Sequence, residues 1–230
     1  MYPIEWKGSP HFTPNVRPQS SPINPPPLIV LHTMAGSLTG TLAHFQNPET
    51  QVSSHYGVGR KGEIHQYVRE KDGAWTNGRV LKPTSKQTIQ RGGNPNRYTI
   101  TIEFEGKDRS GAIDQPQYQA GLWLIQQIAA RWNIPLTREY IIGHYEIDSI
   151  NKENCPGPFF PWTMLMKDLE SGWPLVSIRR EGTPIAMGYL QNGTTYAPLR
   201  KVAESLGYTV KWDEVDYTLD LVGSPEKGIK

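Results

Sequence analysis

Three side chains in this 230-residue sequence, His32, His144 and Cys155, can each give a lone pair to a divalent cation. Two imidazole nitrogens and a thiolate make a tetrahedral zinc set whose fourth position stays open for water, as in catalytic rather than structural sites. They lie in LIVLHTM, YIIGHYEI and NKENCPGP, far apart in sequence, so only the fold can assemble them. If they converge, the chain is a metallohydrolase. If they do not, they are two satisfied histidines and an ordinary cysteine, or Cys155 is a nucleophile with His144 as its base and no metal. Cys155 is the single cysteine, which excludes an internal disulfide.

The elements that must position these groups are readable in outline. PLIVLHTM is predicted to be a buried strand with His32 at its C-terminal end, where α/β sheets place their sites. Pro156 and Gly157 hold Cys155 in a tight loop. Ser37 to Gln46 reads as a short helix with Leu38, Leu42 and Phe45 on one side. SSHYGVGRKGEIHQYV reads as a hairpin turning at Lys61-Gly62. Asp72 to Asn96 is polar and rich in Gly and Pro, which predicts a long surface loop. YTITIEFEG alternates Tyr98, Ile100, Ile102 and Phe104 against Thr99, Thr101 and Glu103, a strand with two unlike faces. QPQYQAGLWLIQQIAARWNI is the strongest helix and ends before Pro135. TREYIIGHYEI suggests a short helix leading to His144, and FPWTMLMKDLE a last helix from near Pro161. Residues 1–27 read as an extended arm, because PPP forbids helix and limits pairing.

The division falls at Ser171 to Pro174, giving a catalytic domain over 1–172 and a small α+β module over 173–230. That module has short strands, an Asn192-Gly193 turn and a helix near Pro198 to Leu206. With 22 Gly and 20 Pro, an α/β fold is expected in preference to a helical bundle. The 24 basic and 22 acidic residues leave a net charge of +2 with no long run of either sign, so no nucleic-acid footprint is indicated. No stretch has the length of a membrane span or the pattern of a signal peptide, and membrane insertion is not expected. Oligomeric state is left open.

Taken in order, LHTMAGS, YTITIEFEG, GHYEID and NCPGP resemble the type 2 N-acetylmuramoyl-L-alanine amidases, relatives of amidase-type phage lysozymes and peptidoglycan-recognition proteins. The resemblance covers about residues 25–170. It implies a mixed central sheet flanked by helices, with a substrate groove over Zn²⁺ held by His32, His144 and Cys155. It further implies peptidoglycan as substrate and hydrolysis of the amide joining N-acetylmuramic acid to L-alanine. Glu103 matches the first glutamate of the family's I-E-x-E-G-like segment, the proton acceptor, while Glu105 shares its strand parity and competes. Many relatives carry a lysine two residues before the third ligand to stabilise oxyanion charge. Here Glu153 stands at that position and Lys152, one step earlier, is the candidate.

Where some relatives use a tyrosine, this chain has Ser54, which argues against a tyrosine-assisted mechanism and puts more weight on Glu103; His55, near Tyr56, is a candidate groove-wall or proton-relay residue. GAWTNG resembles an A-W-H-x-G-like loop, with Thr76 in place of His, and implies that Trp75 and Asn77 contact substrate. By the same likeness the enzyme would be made in the cytoplasm and released to act on the extracellular or periplasm-facing wall. Residues 175–225 resemble a small domain found at the N-terminus of some copper amine oxidases. They contain neither Cys nor His, so copper chemistry is not implied, and wall attachment or a folding or dimerisation role is expected. The alternative reading of the whole chain is a noncatalytic peptidoglycan-binding protein.

Overall fold

A computed structural model describes residues 2–17, 25–106, 110–172, 175–191, 194–213 and 218–223. The chain divides into two units, residues 2–171 and 172–230.

In the larger unit the apolar runs do what their composition requires. Strand β3 (Leu28–Thr33) buries Leu28, Ile29, Val30 and Leu31 completely, as a strand covered on both faces must. It lies between β7 (Thr99–Phe104) and β8 (Ile141–Gly143), and both pairings are parallel. Outward from β7 come β4 (Tyr56–Val58), parallel to it, and β5 (Ile64–Gln66), antiparallel to β4 through the expected hairpin. Strand β1 (Ile4–Trp6) closes that edge, parallel to β5. The sheet order is β1-β5-β4-β7-β3-β8, a mixed sheet. A separate short pair joins β2 (Phe12–Thr13) to β6 (Gly73–Ala74).

Helix α1 (Leu38–Gln46) begins where Ser37 Oγ accepts the Gly40 N–H, a side-chain cap. Helix α2 spans Lys86–Arg91, and α3 spans Gln115–Trp132. The α3 helix lays Tyr118, Leu124, Ile125 and Ile128 into the core and stops at Asn133 in a left-handed conformation. Gly121 lets it approach the sheet closely, since a Cβ there would run into the Phe104 ring. A single turn, α4 (His144–Ile147), follows β8 directly, and α5 (Trp162–Glu170) closes the unit. Among the described residues no helix is long and apolar enough to cross a membrane.

The smaller unit has β9 (Leu175–Arg180), β10 (Thr183–Gln191) and β11 (Thr194–Tyr196) in one antiparallel sheet. Helix α6 (Leu199–Ser205) and the pair β12 (Thr209–Asp213) and β13 (Thr218–Val222) complete it. The Asn192-Gly193 turn and Pro174 of the boundary lie outside the described residues.

Three expectations change. The N-terminal arm is not simply extended: it supplies β1 and β2 and drives Arg17 into the core at 2% exposure. The stretch from Asp72 to Asn96 is not one loop, because Ser85 caps α2 and a 3₁₀ turn forms at Pro95–Arg97. The segment before His144 is strand β8 rather than helix, since Ile141 and Ile142 find parallel pairing beside β3.

Arg17 shows how tightly the arm is bound. Its Nε donates to the Glu70 carbonyl at 2.7 Å, Nη1 to the Arg97 carbonyl at 3.1 Å, and Nη2 to the Asp72 carbonyl. Truncation would remove the guanidinium donors from the Glu70 and Arg97 carbonyls and leave a void in the core. Arg17→Ala is therefore expected to lower the unfolding free energy by about 2–4 kcal/mol, read from the shift in urea midpoint.

Candidate metal centre

The sheet register assembles the centre. In the β3–β8 pairing Leu31 lies opposite Gly143, so the residues that follow, His32 and His144, emerge side by side. Their ring centroids are 4.2 Å apart. Cys155 arrives from a loop tied back to this end of the sheet. Its carbonyl accepts the Tyr145 N–H at 3.0 Å, and the next carbonyl, that of Pro156, accepts Thr33 Oγ1 at 2.6 Å. The donor atoms of His32, His144 and Cys155 all lie within 4.8 Å of one another.

The donors fit a zinc ion on two grounds. First, His32 Nε2 is buried and has no hydrogen-bond partner, which is costly for a polar atom unless something binds there. Second, both imidazoles are held neutral and thus able to ligate. Burial, the neighbouring His144 and Lys152 keep His32 well below its ordinary value, while burial brings His144 down to about 4. The Nε2 of His144 lies 3.3 Å from the Asn77 carbonyl, so as a donor it leaves Nδ1 as the free lone pair. Burial and nearby Glu103 push the Cys155 thiol up to about 12, so it becomes a thiolate when a cation's charge offsets that cost. An N₂S set of this kind selects zinc.

Glu103 stands directly across the β3–β7 register from His32, its Oε1 3.8 Å from His32 Nδ1. Its side chain is 14% exposed, enough to reach the cavity. Burial raises its carboxyl to about 7, against the opposing charge of Lys152. The cavity has a volume of about 730 Å³, a size typical of small-ligand sites. Glu103, Lys152, Trp75 and all three metal ligands line it.

His55 and Asn77 do not. His55 is fully buried: Nδ1 accepts the Thr101 N–H at 3.0 Å and Nε2 donates to the Asp72 carbonyl at 3.0 Å, with Arg17 Nη2 2.8 Å away. The arm's guanidinium walls it off from any substrate. Asn77 is also fully buried. Its side chain donates to Asn96 Oδ1 and Thr99 Oγ1, both at 2.9 Å, and its carbonyl orients His144. Both are supports beneath the centre rather than contacts in the groove.

Among the other histidines, His44 lines the cavity from α1 without joining the ligand cluster. Glu105 falls past the end of β7 and accepts the Arg60 N–H at 3.1 Å. Sequence reasoning missed Thr13 and His11, which fix Trp75. Its indole N–H donates to Thr13 Oγ1 at 3.0 Å, and its ring lies 5.7 Å from that of His11. No local signal in the arm marked them.

Residues 22–158 match the family model described as N-acetylmuramoyl-L-alanine amidase, which is more than half of the chain. The chain belongs to the N-acetylmuramoyl-L-alanine amidase family. It is similar to N-acetylmuramoyl-L-alanine amidase A of Achromobacter lyticus, with 30% identity over 153 residues, 59% of this chain and 78% of that protein. It is 32% identical over 177 residues to 1,6-anhydro-N-acetylmuramyl-L-alanine amidase AmpD of Citrobacter freundii, covering 67% of this chain and 83% of that one. The solved amidase AmiD of Escherichia coli, in complex with anhydro-N-acetylmuramic acid-L-Ala-D-gamma-Glu-L-Lys, superposes with a TM-score of 0.53 at 29% identity, covering 69% of this chain and 62% of that chain. Residues 180–227 match the copper amine oxidase N-terminal domain. This amidase is thus an enzyme of peptidoglycan, hydrolysing the bond between N-acetylmuramic acid and L-alanine, with His32, His144 and Cys155 as its zinc site.

The Cys155 loop is held by contact with the segment before α3. Gly157 has φ +117°, and a Cβ there would lie 2.5 Å from the Ser110 backbone. Gly157→Ala must displace that loop. Zinc affinity of the amidase should fall by about 10–100-fold, measured by competition with a chromophoric chelator.

Proposed function

We propose that Glu103 and Lys152 carry the proton and the charge in hydrolysis of the muramoyl–alanine amide. The observation behind this is the placement of a buried carboxylate beside His32, facing the cavity that the three ligands also line. Zinc held by His32, His144 and Cys155 would supply Lewis acidity and make a water easier to deprotonate near neutral pH. Glu103 takes the proton as the water oxygen bonds to the carbonyl carbon. It returns that proton to the alanine nitrogen as the C–N bond breaks. A carboxyl raised to about 7 suits both transfers.

Lys152 is half-buried on the cavity wall, and its charge reaches His32, Glu103, His144 and Cys155. Its ammonium offsets the negative charge that develops on the carbonyl oxygen. Trp75 offers an aromatic face to the apolar side of the sugar or the peptide.

A cysteine nucleophile fits the same residues poorly. Activation requires a lowered thiol pKa, whereas burial raises that of Cys155, and His144 shares its Nε2 with a backbone carbonyl rather than with the thiol. A binding-only protein would have no use for an intact donor set with an orphaned buried nitrogen. Because the polymer substrate lies outside the cytoplasm, the enzyme acts there, on the extracellular or periplasm-facing wall, after release. The smaller unit attaches it to that wall; exposed Leu199, Leu206 and Leu221 give it apolar surface for the purpose.

Metal analysis combined with mass spectrometry of muropeptide digests tests this. Wild type should release peptides beginning with L-alanine and leave the glycan intact, lose activity in a strong chelator and regain it with Zn²⁺. Glu103→Gln should keep its zinc while kcat falls by about 10²–10⁴-fold. Cleaved glycan, or turnover that survives the chelator, would refute the proposal.

A further inference from the structure

Lys152 reaches the cavity from a position one residue away from the family's usual lysine, and the loop geometry shows how. Glu153, at the usual position, also lines the cavity but is exposed, while Lys152 is half-buried and its charge reaches Glu103 and the three ligands. The chain turns at Asp148, whose residue is fully buried although it carries a carboxylate. That carboxylate accepts the N–H groups of Lys82 and Ile150, each at 3.2 Å, and Asn151 Nδ2 at 2.7 Å. Burial opposes its charge, but these hydrogen bonds prevail and hold its carboxyl below the ordinary value.

Two further bonds tie the same loops, since the N–H and Oγ of Ser149 both donate to the Lys82 carbonyl at 3.0 Å. From this anchor the backbone makes successive turns. Lys152 N–H donates to the Asp148 carbonyl at 3.2 Å, and Cys155 N–H donates to the Lys152 carbonyl at 3.0 Å. Opposite, the turn at Gly78 (φ +63°) runs beside the lysine stem: a Cβ built there would meet Lys152 Cε at 4.0 Å, an ordinary van der Waals distance.

We propose that Asp148 is a positioning residue. Its carboxylate ties residue 82 to the turn at 150–151, and that turn presents the Lys152 ammonium, rather than the Glu153 carboxylate, to the reaction. Asp148 itself does not line the cavity; its backbone N–H donates to the His144 carbonyl at 3.1 Å, while its carboxylate is bonded to the loop that carries the lysine. The assignment rests on the amidase reading, which defines what the lysine is for.

A double-mutant cycle on the zinc-loaded full chain tests it, with kcat and KM measured on a muropeptide. Lys152→Gln should lower kcat by about 100-fold with KM changed less than about threefold. Asp148→Ala should lower kcat about as much. The double variant should be no worse than Lys152→Gln alone, because the second change removes an effect already lost. Zinc content should be retained throughout, and the Ile150 amide should exchange faster with deuterium in Asp148→Ala.

The pair Lys152→Gln with Glu153→Lys moves the charge to the usual position without touching Asp148, so it decides the matter even if Asp148→Ala does not fold. It should remain as slow as Lys152→Gln. Recovery of turnover in that pair, or losses that multiply in the cycle, would overturn the assignment while leaving the amidase reading intact. An inactive wild type would overturn both.

Discussion

The parallel register between β3 and β7 is the constraint on which this enzyme depends. It sets His32 opposite Glu103, a metal ligand beside a carboxylate. Strand side chains alternate with a period of two, so a slip of one residue would put Ile102 or Phe104 beside His32 and turn Glu103 into the apolar layer. That layer prevents the slip. Ile100 and Ile102 are fully buried, Phe104 nearly so, and it packs against Gly121 of α3. Burying a carboxylate there without a partner would cost several kcal/mol, and exposing a large apolar side chain about 1.5–3 kcal/mol more. The core thus sets the spacing of the chemistry.

The polar face of the same strand serves a second purpose. Thr99 and Thr101 are fully buried and spend their hydroxyls on Asn77, Ser54 and His55. His55 in turn reaches the Asp72 carbonyl, and Asn77 offers its own carbonyl to His144. Apart from Asn77 Oδ1, which has no partner among the described residues, the side-chain groups named here are hydrogen-bonded, and the layer holds His144 from below. The contrast with His32 Nε2, buried and unpartnered at its edge, marks where the network hands over to the cation.

What could be read from the sequence follows from how local each signal is. The four consecutive apolar residues before His32, the helical period of α3 and the Lys61-Gly62 turn state their structure within a few residues. Helix α2 has six residues, too few to show a period, and β8 has three, preceded by the helix-like TREY. The ligands were legible because their types restrict the chemistry, and Glu103 because it breaks an apolar alternation. His55 and Asn77 were misassigned to the groove because the residues that bury them are remote. Arg17 lies 38 positions from His55, and Asn96 lies 19 from Asn77. The hydrogen bonds of the Asp148 carboxylate, in the turn before Lys152, were not legible because their partners span residues 82 to 151.

Charge within the site has one consistent logic. Burial disfavours ionisation of Cys155 and Glu103, and it disfavours protonation of His32 and His144. Left to themselves the ligands are therefore neutral, and the nearest fixed positive charge is Lys152. Binding a divalent cation makes the thiolate favourable and releases its proton, so occupancy and ionisation of the centre are one coupled event. The small net charge of +2 spread over the whole chain does not enter this balance. Screening by salt weakens charges at the surface, whereas the ligands, the carboxylate and the lysine interact across a short, poorly hydrated distance. The electrostatic field of the site is for that reason a property of five side chains and the sheet end that holds them.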